Sequence, residues 1–300
     1  MDSAMAFGRR ALCIINRNAR SGDADAGAIA AAFAEAGIHA TVRPAAEPAE
    51  AVSVLTAGAA EADMIVIGGG DGSISALLPH LLDAGKPLAI LPLGTANDLA
   101  NSLGIPLDLE LAVAVAATGR VRRIDIGYVG DRPFMNVASV GFGPNVARAH
   151  TGFAKRLLGV LAYPLSWIGA YRATLPFRIT LTIDGQVERA RCVHIAIGGG
   201  RRYGGGLILC DEASHEDGLL WLYYVRPIRL LGWLAMVPVL WTGRHRGSKG
   251  RSVTRSGHEI RLVTGKPMPI DADGDIVADT PAMFTVRKQA LRVIVPEPEA

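Results

Sequence analysis

Two short stretches carry the residue types that handle phosphate. Gly68-Gly69-Gly70-Asp71-Gly72-Ser73 follows an apolar run over residues 64–67 and precedes a helical pattern. Glycines without Cβ let backbone N–H groups approach phosphate oxygens, and the N-terminus of the next helix adds a favourable dipole. A tight turn that binds nothing is the plainer reading, but four glycines around one aspartate exceed what such a turn needs. The second stretch, Pro92-Leu93-Gly94-Thr95-Ala96-Asn97-Asp98, follows another apolar run over 88–91. Thr95 and Asn97 offer uncharged hydrogen-bonding groups. Asp98 is either part of the same site or the N-cap of a short helix over 99–103.

Carboxylates supply the other candidate chemistry. Asp271, Asp273 and Asp275 alternate near the C-terminus. On a straight strand they would share one face, where they could bind a metal or raise one another's pKa. An exposed acidic turn is the duller alternative. Asp217-Gly218, taken alone, reads as a β-turn.

The elements that position these groups fall into two regimes. From residue 11 to about 125, strands over 11–15, 40–43, 64–67 and 88–91 alternate with helices over 23–36, 48–60 and 74–82. Gly37 ends the first helix and Pro48 starts the second. Strand–helix alternation at this spacing predicts a parallel α/β sheet, whose loops at one edge lie side by side where ligands bind. Beyond Asp125, strands are expected over 134–140, 177–183, 187–197, 219–225, 259–263 and 291–295, with Asp184-Gly185 as a hairpin turn. One helical stretch, 154–173, interrupts them. The expected architecture is an N-terminal parallel α/β nucleotide-binding domain over 1–125, then a larger antiparallel β-sandwich domain over 126–300, whose last strand is free to return to the first domain.

Composition narrows the function classes. The 300 residues suffice for two cores, and the net charge of +3 (31 basic, 28 acidic) argues against a nucleic-acid binder. Three widely spaced cysteines fit neither a disulfide framework nor zinc spacing, which points to a reduced, cytoplasmic setting. The longest apolar stretch, 230–241, is about half of what a bilayer span needs, so no transmembrane helix is expected.

The glycine turn followed by P-x-G-T-x-N-D resembles the diacylglycerol kinase catalytic-domain family, and in particular its soluble bacterial lipid kinases. The resemblance covers nearly the whole chain. Asn16, Arg17, Asn18, Ser21 and Gly22 resemble the family's opening strand and loop. Leu103-Gly104-Ile105-Pro106, Arg123-Ile124-Asp125-Ile126-Gly127, Phe134-Met135-Asn136-Val137-Ala138, Tyr203-Gly204-Gly205-Gly206, Asp217-Gly218-Leu219-Leu220 and Asp273-Gly274-Asp275 follow in the family's order.

The resemblance implies two domains flanking a cleft, ATP with Mg2+ as cofactors, and transfer of the γ-phosphoryl group to a lipid hydroxyl. It implies nucleotide contacts from Asn16, Arg43, Gly69, Gly70, Asp71, Gly72, Ser73, Ile74, Ser75, Ala76, Thr95 and Asn97. It implies a structural divalent metal held by the Asp217 carboxylate and the carbonyls of Ser214 and Leu219, oxygen ligands that suit magnesium. Asp275 and Asp71 are the implied catalytic carboxylates, with Asp275 as the base where relatives carry glutamate. Ser75-Ala76, Arg43 and Gly199 also depart from the family pattern.

A lipid substrate without a membrane span implies peripheral contact with the inner face of the membrane. Residues 153–167 and 230–241 carry the aromatic residues for such contact. Arg244, Arg246, Lys249, Arg251 and Arg255 follow the second stretch with no acidic residue between them. Internal packing of the apolar stretches and a solvated basic loop are the alternatives. An enzyme resembling NAD kinase, or a catalytically silent nucleotide- or lipid-binding regulator, are the other functional readings.

Overall fold

The computed structural model describes residues 10–19, 26–141, 175–200, 202–203, 207–208, 210, 212–227 and 252–298. Ser21, Gly22, the 154–173 helix, the apolar stretches 153–167 and 230–241, Gly204 to Gly206 and the basic residues 244–251 lie outside them. The chain divides into two compact units, residues 1–126 with 288–300, and residues 127–287.

The first unit is built from β1 (Arg10–Asn16), α1 (Ala26–Glu35), β2 (His39–Ala45), α2 (Pro48–Gly58), β3 (Met64–Gly69), α3 (Asp71–Ala84), β4 (Leu88–Pro92), α4 (Asp98–Ser102), α5 (Leu109–Thr118) and the start of β5 (Arg120–Val129). β1 pairs in parallel with β2 and β3, and β3 pairs in parallel with β4. β3 and β4 are buried along their whole length, as their unbroken apolar runs require of strands covered on both faces. α1 and α5 cover one face, packing Ile29, Phe33, Ala112, Val113 and Ala116 against Ala11, Cys13, Val66 and Leu91. Parallel pairing brings Asn16, Ala45, Gly69 and Pro92, the last residues of their strands, to one edge.

The second unit is antiparallel. It takes the end of β5, then β6 (Arg132–Phe134), β7 (Ala138–Gly141), β8 (Phe177–Ile183), β9 (Gln186–Cys192), β10 (His194–Gly198), β11 (Arg202–Tyr203), β12 (Leu207–Ile208), β13 (Leu220–Val225), β14 (Ser252–Gly257), β15 (Glu259–Thr264), β16 (Pro269–Ala272), β17 (Asp275–Asp279) and most of β18 (Ala282–Val295). One sheet runs β14-β13-β10-β7-β16-β17, and β18-β15-β8-β9 form another layer. Inward side chains of both layers, among them Val140, Ile195, Leu222, Ile270, Ile179, Leu181, Leu262 and Phe284, share one core. That is a β-sandwich.

Four expected elements differ from the structure, each for a local reason. The strand expected over 134–140 breaks at Met135, Asn136 and Val137, whose N–H groups are drawn to the Asp273 carboxylate. The strand expected over 187–197 breaks at Val193, whose N–H donates to the Val225 carbonyl. There the chain passes from the layer of β8 and β9 to the sheet of β10 and β13. The acidic run is a hairpin rather than a straight strand: Asp273 and Gly274 take φ values of 50° and 103°, the pair that a two-residue hairpin turn needs. The strand over 291–295 is the end of the longer β18, whose Val293 pairs in parallel with Leu88 of β4 in the first unit. The Asp184-Gly185 hairpin between β8 and β9 stands as read.

Candidate active site

The C-terminal edge of the parallel sheet holds a cavity of about 370 Å³, within the range of small-molecule sites. Ile14, Asn16 and Asn18 come from the end of β1, Ala45 to Pro48 from the end of β2. Gly68, Gly70, Gly72, Ser73 and Ala76 come from β3 and α3, and Gly94 and Thr95 from the loop after β4.

Its floor is tied by side chains. Asn16 Nδ2 donates to Ser73 Oγ at 2.8 Å, Asn16 Oδ1 accepts from the Asn18 N–H at 2.8 Å, and Asn18 Nδ2 donates to the Ala46 carbonyl at 2.9 Å. These bonds hold three strand ends in register around the opening.

The glycines divide the work. A Cβ on Gly94 would sit 2.3 Å from the Cα of Gly70, so the two phosphate-loop candidates touch backbone to backbone. Gly72, in the first turn of α3, has open space where a Cβ would stand and lines the cavity. No side chain caps α3 at Gly70; the Ser73 and Ile74 N–H groups donate to the Gly70 carbonyl, which leaves the Gly72 N–H at the helix start for a ligand. Backbone donors, helix dipole, hydroxyls from Ser73 and Thr95, and room left by a missing Cβ fit the phosphates of a nucleotide.

Other expected nucleotide residues serve the loops instead. Asp71 accepts from the N–H groups of Asp98 and Leu99 at 2.9 and 3.0 Å, so its carboxylate joins one loop to the start of α4. Asp98 is thus not the cap of that helix; it is the first helical residue, buried, after the N-cap position Asn97. Asn97 holds a left-handed φ of 51°. Its amide bridges its own loop, accepting from the Gly94 N–H and donating to the carbonyls of Pro92 and Gly94. Ile74 is buried in the core, and neither it, Gly69, Ser75 nor Asn97 lines the cavity.

Arg43 lies outside the cavity. β2 continues two residues past it, so Ala45 and Ala46 occupy the rim, while Arg43 faces a separate depression with Arg10 and His39. Ala45, Ala46, Pro48 and Ala51 were missed because small apolar residues carry no chemical signature. The only sequence signal was Pro48 opening a helix behind them.

In the second unit, Asp273 accepts from the N–H groups of Met135, Asn136 and Val137 at 2.6, 3.0 and 3.1 Å. It clamps the hairpin that presents Asp275, which is exposed at the start of β17. Burial pushes the Asp271 carboxyl above its ordinary range; the Gly274 N–H opposes this, and the neighbouring Asp275 charge adds to it. Asp271 therefore feels the Asp275 charge across a turn.

Asp217, the implied carboxylate ligand of a structural metal, is hydrogen-bonded within its own loop. Its carboxylate accepts from the N–H groups of Ser214 and Leu219 at 3.2 and 2.8 Å and from the Trp221 indole at 2.8 Å. Oδ2 takes two of these donors and Oδ1 one, which leaves one Oδ1 lone pair for a cation. Among the described residues, no group of three or more His, Cys, Asp or Glu is gathered for a metal. Of the basic run, Arg255 lies among the described residues, and it pairs with Glu188 at 3.0 Å. No described helix is long and apolar enough to cross a membrane.

Comparison with known proteins agrees with this layout. Residues 10–129 match the diacylglycerol kinase catalytic domain, and residues 136–295 match the YegS C-terminal NAD kinase beta sandwich-like domain. A Pseudomonas aeruginosa protein named probable lipid kinase YegS-like is 31% identical over 92% of this chain and 91% of its own. A Pseudomonas putida protein of the same name is 32% identical over 77% of each. A Klebsiella pneumoniae one is 39% identical over a shorter stretch, 53% of this chain and 55% of its own length. Two solved structures from Bacillus anthracis, one of them described as a diacylglycerol kinase, share the fold with TM-scores of 0.81 and 0.75. They are 23% and 20% identical, and each comparison covers 96% of this chain and 97% of the other. With both of its domains matched, and relatives above 30% identity spanning most of both chains, the chain belongs to the YegS-like lipid kinases of the diacylglycerol kinase catalytic-domain family.

Proposed function

We propose that this protein transfers the γ-phosphoryl group of ATP to the hydroxyl of a diacylglycerol-like lipid or another long-chain alcohol. The observation that carries the nucleotide half is the open space at Gly72, beside uncapped helix donors and the Ser73 and Thr95 hydroxyls. Family membership carries the acceptor half.

Phosphoryl transfer asks the protein mainly for position and charge stabilisation. Gly70 and Gly72 would receive the phosphates on backbone N–H groups, with the Ser73 hydroxyl, held by Asn16, beside them and Thr95 opposite. Asp71 and Asn97 would act one step removed, by fixing the two loops against each other. Asp275 is the proposed base: its carboxylate takes the lipid hydroxyl's proton as the oxygen attacks phosphorus. The bond from phosphorus to the β-phosphate oxygen then breaks, and ADP leaves. Aspartate is one methylene shorter than glutamate, so the clamp that Asp273 places on the preceding turn matters more here than a longer side chain would require.

Magnesium, arriving with ATP, would neutralise phosphate charge; no step is assigned to a metal at Asp217. We place the reaction at the cytoplasmic face of the membrane, where ATP is supplied and a lipid acceptor is reached without a spanning helix.

Incubating the purified protein with magnesium and γ-labelled ATP over a mixed lipid extract tests the reading. Labelled phospholipid is the expected product, and Asp275→Asn should remove turnover while leaving nucleotide binding within about twofold of wild type. Nucleotide binding with no labelled lipid from the wild type would instead identify a silent binding protein.

A further inference from the structure

The depression that takes Arg43 is a second cavity in the first unit, about 500 Å³ in volume. Its origin is local. Ala40 and Val42 of β2 pack on the core that α1 and α5 cover, so His39, Thr41 and Arg43 face the other way, toward α2. α2 presents Ser53, Ala57 and Gly58 to that face. Gly58 lets the helix rest on Leu12, where a Cβ would meet Leu12 Cδ2 at 3.0 Å. Small residues on the helix and an uncovered strand face leave the gap.

The lining is chemically specific. Arg10, His39 and Arg43 stand on the strand side, and the hydroxyls of Thr41 and Ser53 stand on the two walls. Glu61 is the one carboxylate in the lining. Arg10 is partly engaged by Asp63 at 3.5 Å. Arg43 donates to the carbonyl of its own neighbour Val42 at 3.2 Å, and among the described residues no carboxylate pairs with it. A guanidinium without a counter-charge, in a cavity with a second guanidinium, an imidazole and two hydroxyls, is a match for phosphate oxygens. The volume exceeds what a bare phosphate fills and falls within the range of small-molecule sites.

We propose that this cavity binds a phosphate ester with a small organic body, separately from the nucleotide, with Arg43 as its main anchor. A free phosphorylated metabolite and the headgroup of an anionic lipid present the same chemistry. The site is independent of whether the first cavity supports turnover. The two cavities do share a wall: Pro48 and Ala51 of α2 line the first, and Ser53, Val54, Ala57 and Gly58 line the second.

Calorimetric titration of the whole chain with glycerol 3-phosphate, with the first cavity filled by a non-hydrolysable ATP analogue, tests the soluble source. Co-sedimentation with phosphatidylcholine vesicles, with and without phosphatidylglycerol, tests the lipid source. Saturable binding in either arm should weaken at least about tenfold in Arg43→Ala and recover in part in Arg43→Lys, since a bidentate charged contact is lost and then half restored. Ser53→Ala should weaken it less, and analogue binding should stay unchanged in all three variants. Binding of the ester alone would identify a free metabolite, and binding only to phosphatidylglycerol vesicles a headgroup. The proposal is overturned if neither probe binds saturably, or if Arg43→Ala binds as the wild type does. Because Arg43 is exposed and bonds only to its neighbour's carbonyl, an unchanged melting curve will show that the variant is folded.

Discussion

Asp71 lies within the glycine turn proposed to receive phosphate, where a free carboxylate would repel the ligand. Its oxygens are turned instead to the Asp98 and Leu99 N–H groups. Asp71→Ala should therefore lower stability by about 1–3 kcal/mol, because two buried donors lose their acceptor. A fall in both melting temperature and activity is expected, so activity loss alone would not make Asp71 a catalytic residue. Gly72→Ala is the cleaner probe. Replacing a helical glycine should stabilise α3 by about 0.5–1 kcal/mol, while the new methyl enters the cavity and weakens ATP binding. A variant that melts higher and binds less is the expected result; unchanged ATP affinity would remove the nucleotide from this cavity. In the second unit, Asp273→Ala should cost about 2–4 kcal/mol in chemical denaturation, since three backbone donors lose a charged acceptor.

The break at Val193 puts His194 at the head of β10, buried against Tyr223 with ring centroids 5.7 Å apart. Burial depresses its pKa to about 4, against a weaker opposing hydrogen bond with the Val140 backbone. The unfolded chain takes up this proton near pH 6.5, and the folded chain only near 4. Between those values the unfolded state binds more protons, so stability rises with pH and is lost as pH falls. The loss should reach about 3 kcal/mol by pH 4 in urea titrations, and His194→Gln should flatten the difference across that window.

The same comparison of elements shows what the chain's letters disclose. The buried strands β3 and β4 are legible because four or five successive apolar residues admit few other structures. α5 was overlooked although its start is written in Asp108, which caps it by accepting from the Leu111 N–H; the alanine-rich body hides the helical period. The β16–β17 hairpin was legible only as the acidic-turn alternative: Asp273-Gly274 is a hairpin dipeptide, but alternating aspartates mimic a strand. At the site, glycines and hydroxyls announce themselves. The alanines of the rim do not, and the resemblance put Arg43 at the site as the end of a strand over 40–43, which pairing with β1 extends to Ala45.

The first unit is discontinuous in sequence. The end of β18 completes its sheet beside β4, and Leu291, Val293, Ile294 and Val295 are buried there. Asp125 secures this return by accepting from the Gln289 N–H at 2.7 Å, where β18 bends through a φ of 54°. Ending the chain after Arg287 should therefore abolish ATP-analogue binding and bring the first unit's core into solvent, although every residue lining the first cavity remains. Dye binding and calorimetry would read both effects; retained analogue affinity would show that β18 is dispensable to that unit.

That return of β18 also bears on how the chain is made. Synthesis from the N-terminus delivers the edge proposed to bind phosphate well before β18, so the open side of β4 waits for that strand. A nascent chain thus carries an unfinished parallel sheet with an exposed apolar edge while the entire β-sandwich is translated, the state in which strand edges invite aggregation. Nucleotide can stabilise this unit only once β18 has joined it, so ATP should raise the yield of refolded protein and leave chains stalled before Leu291 unaffected.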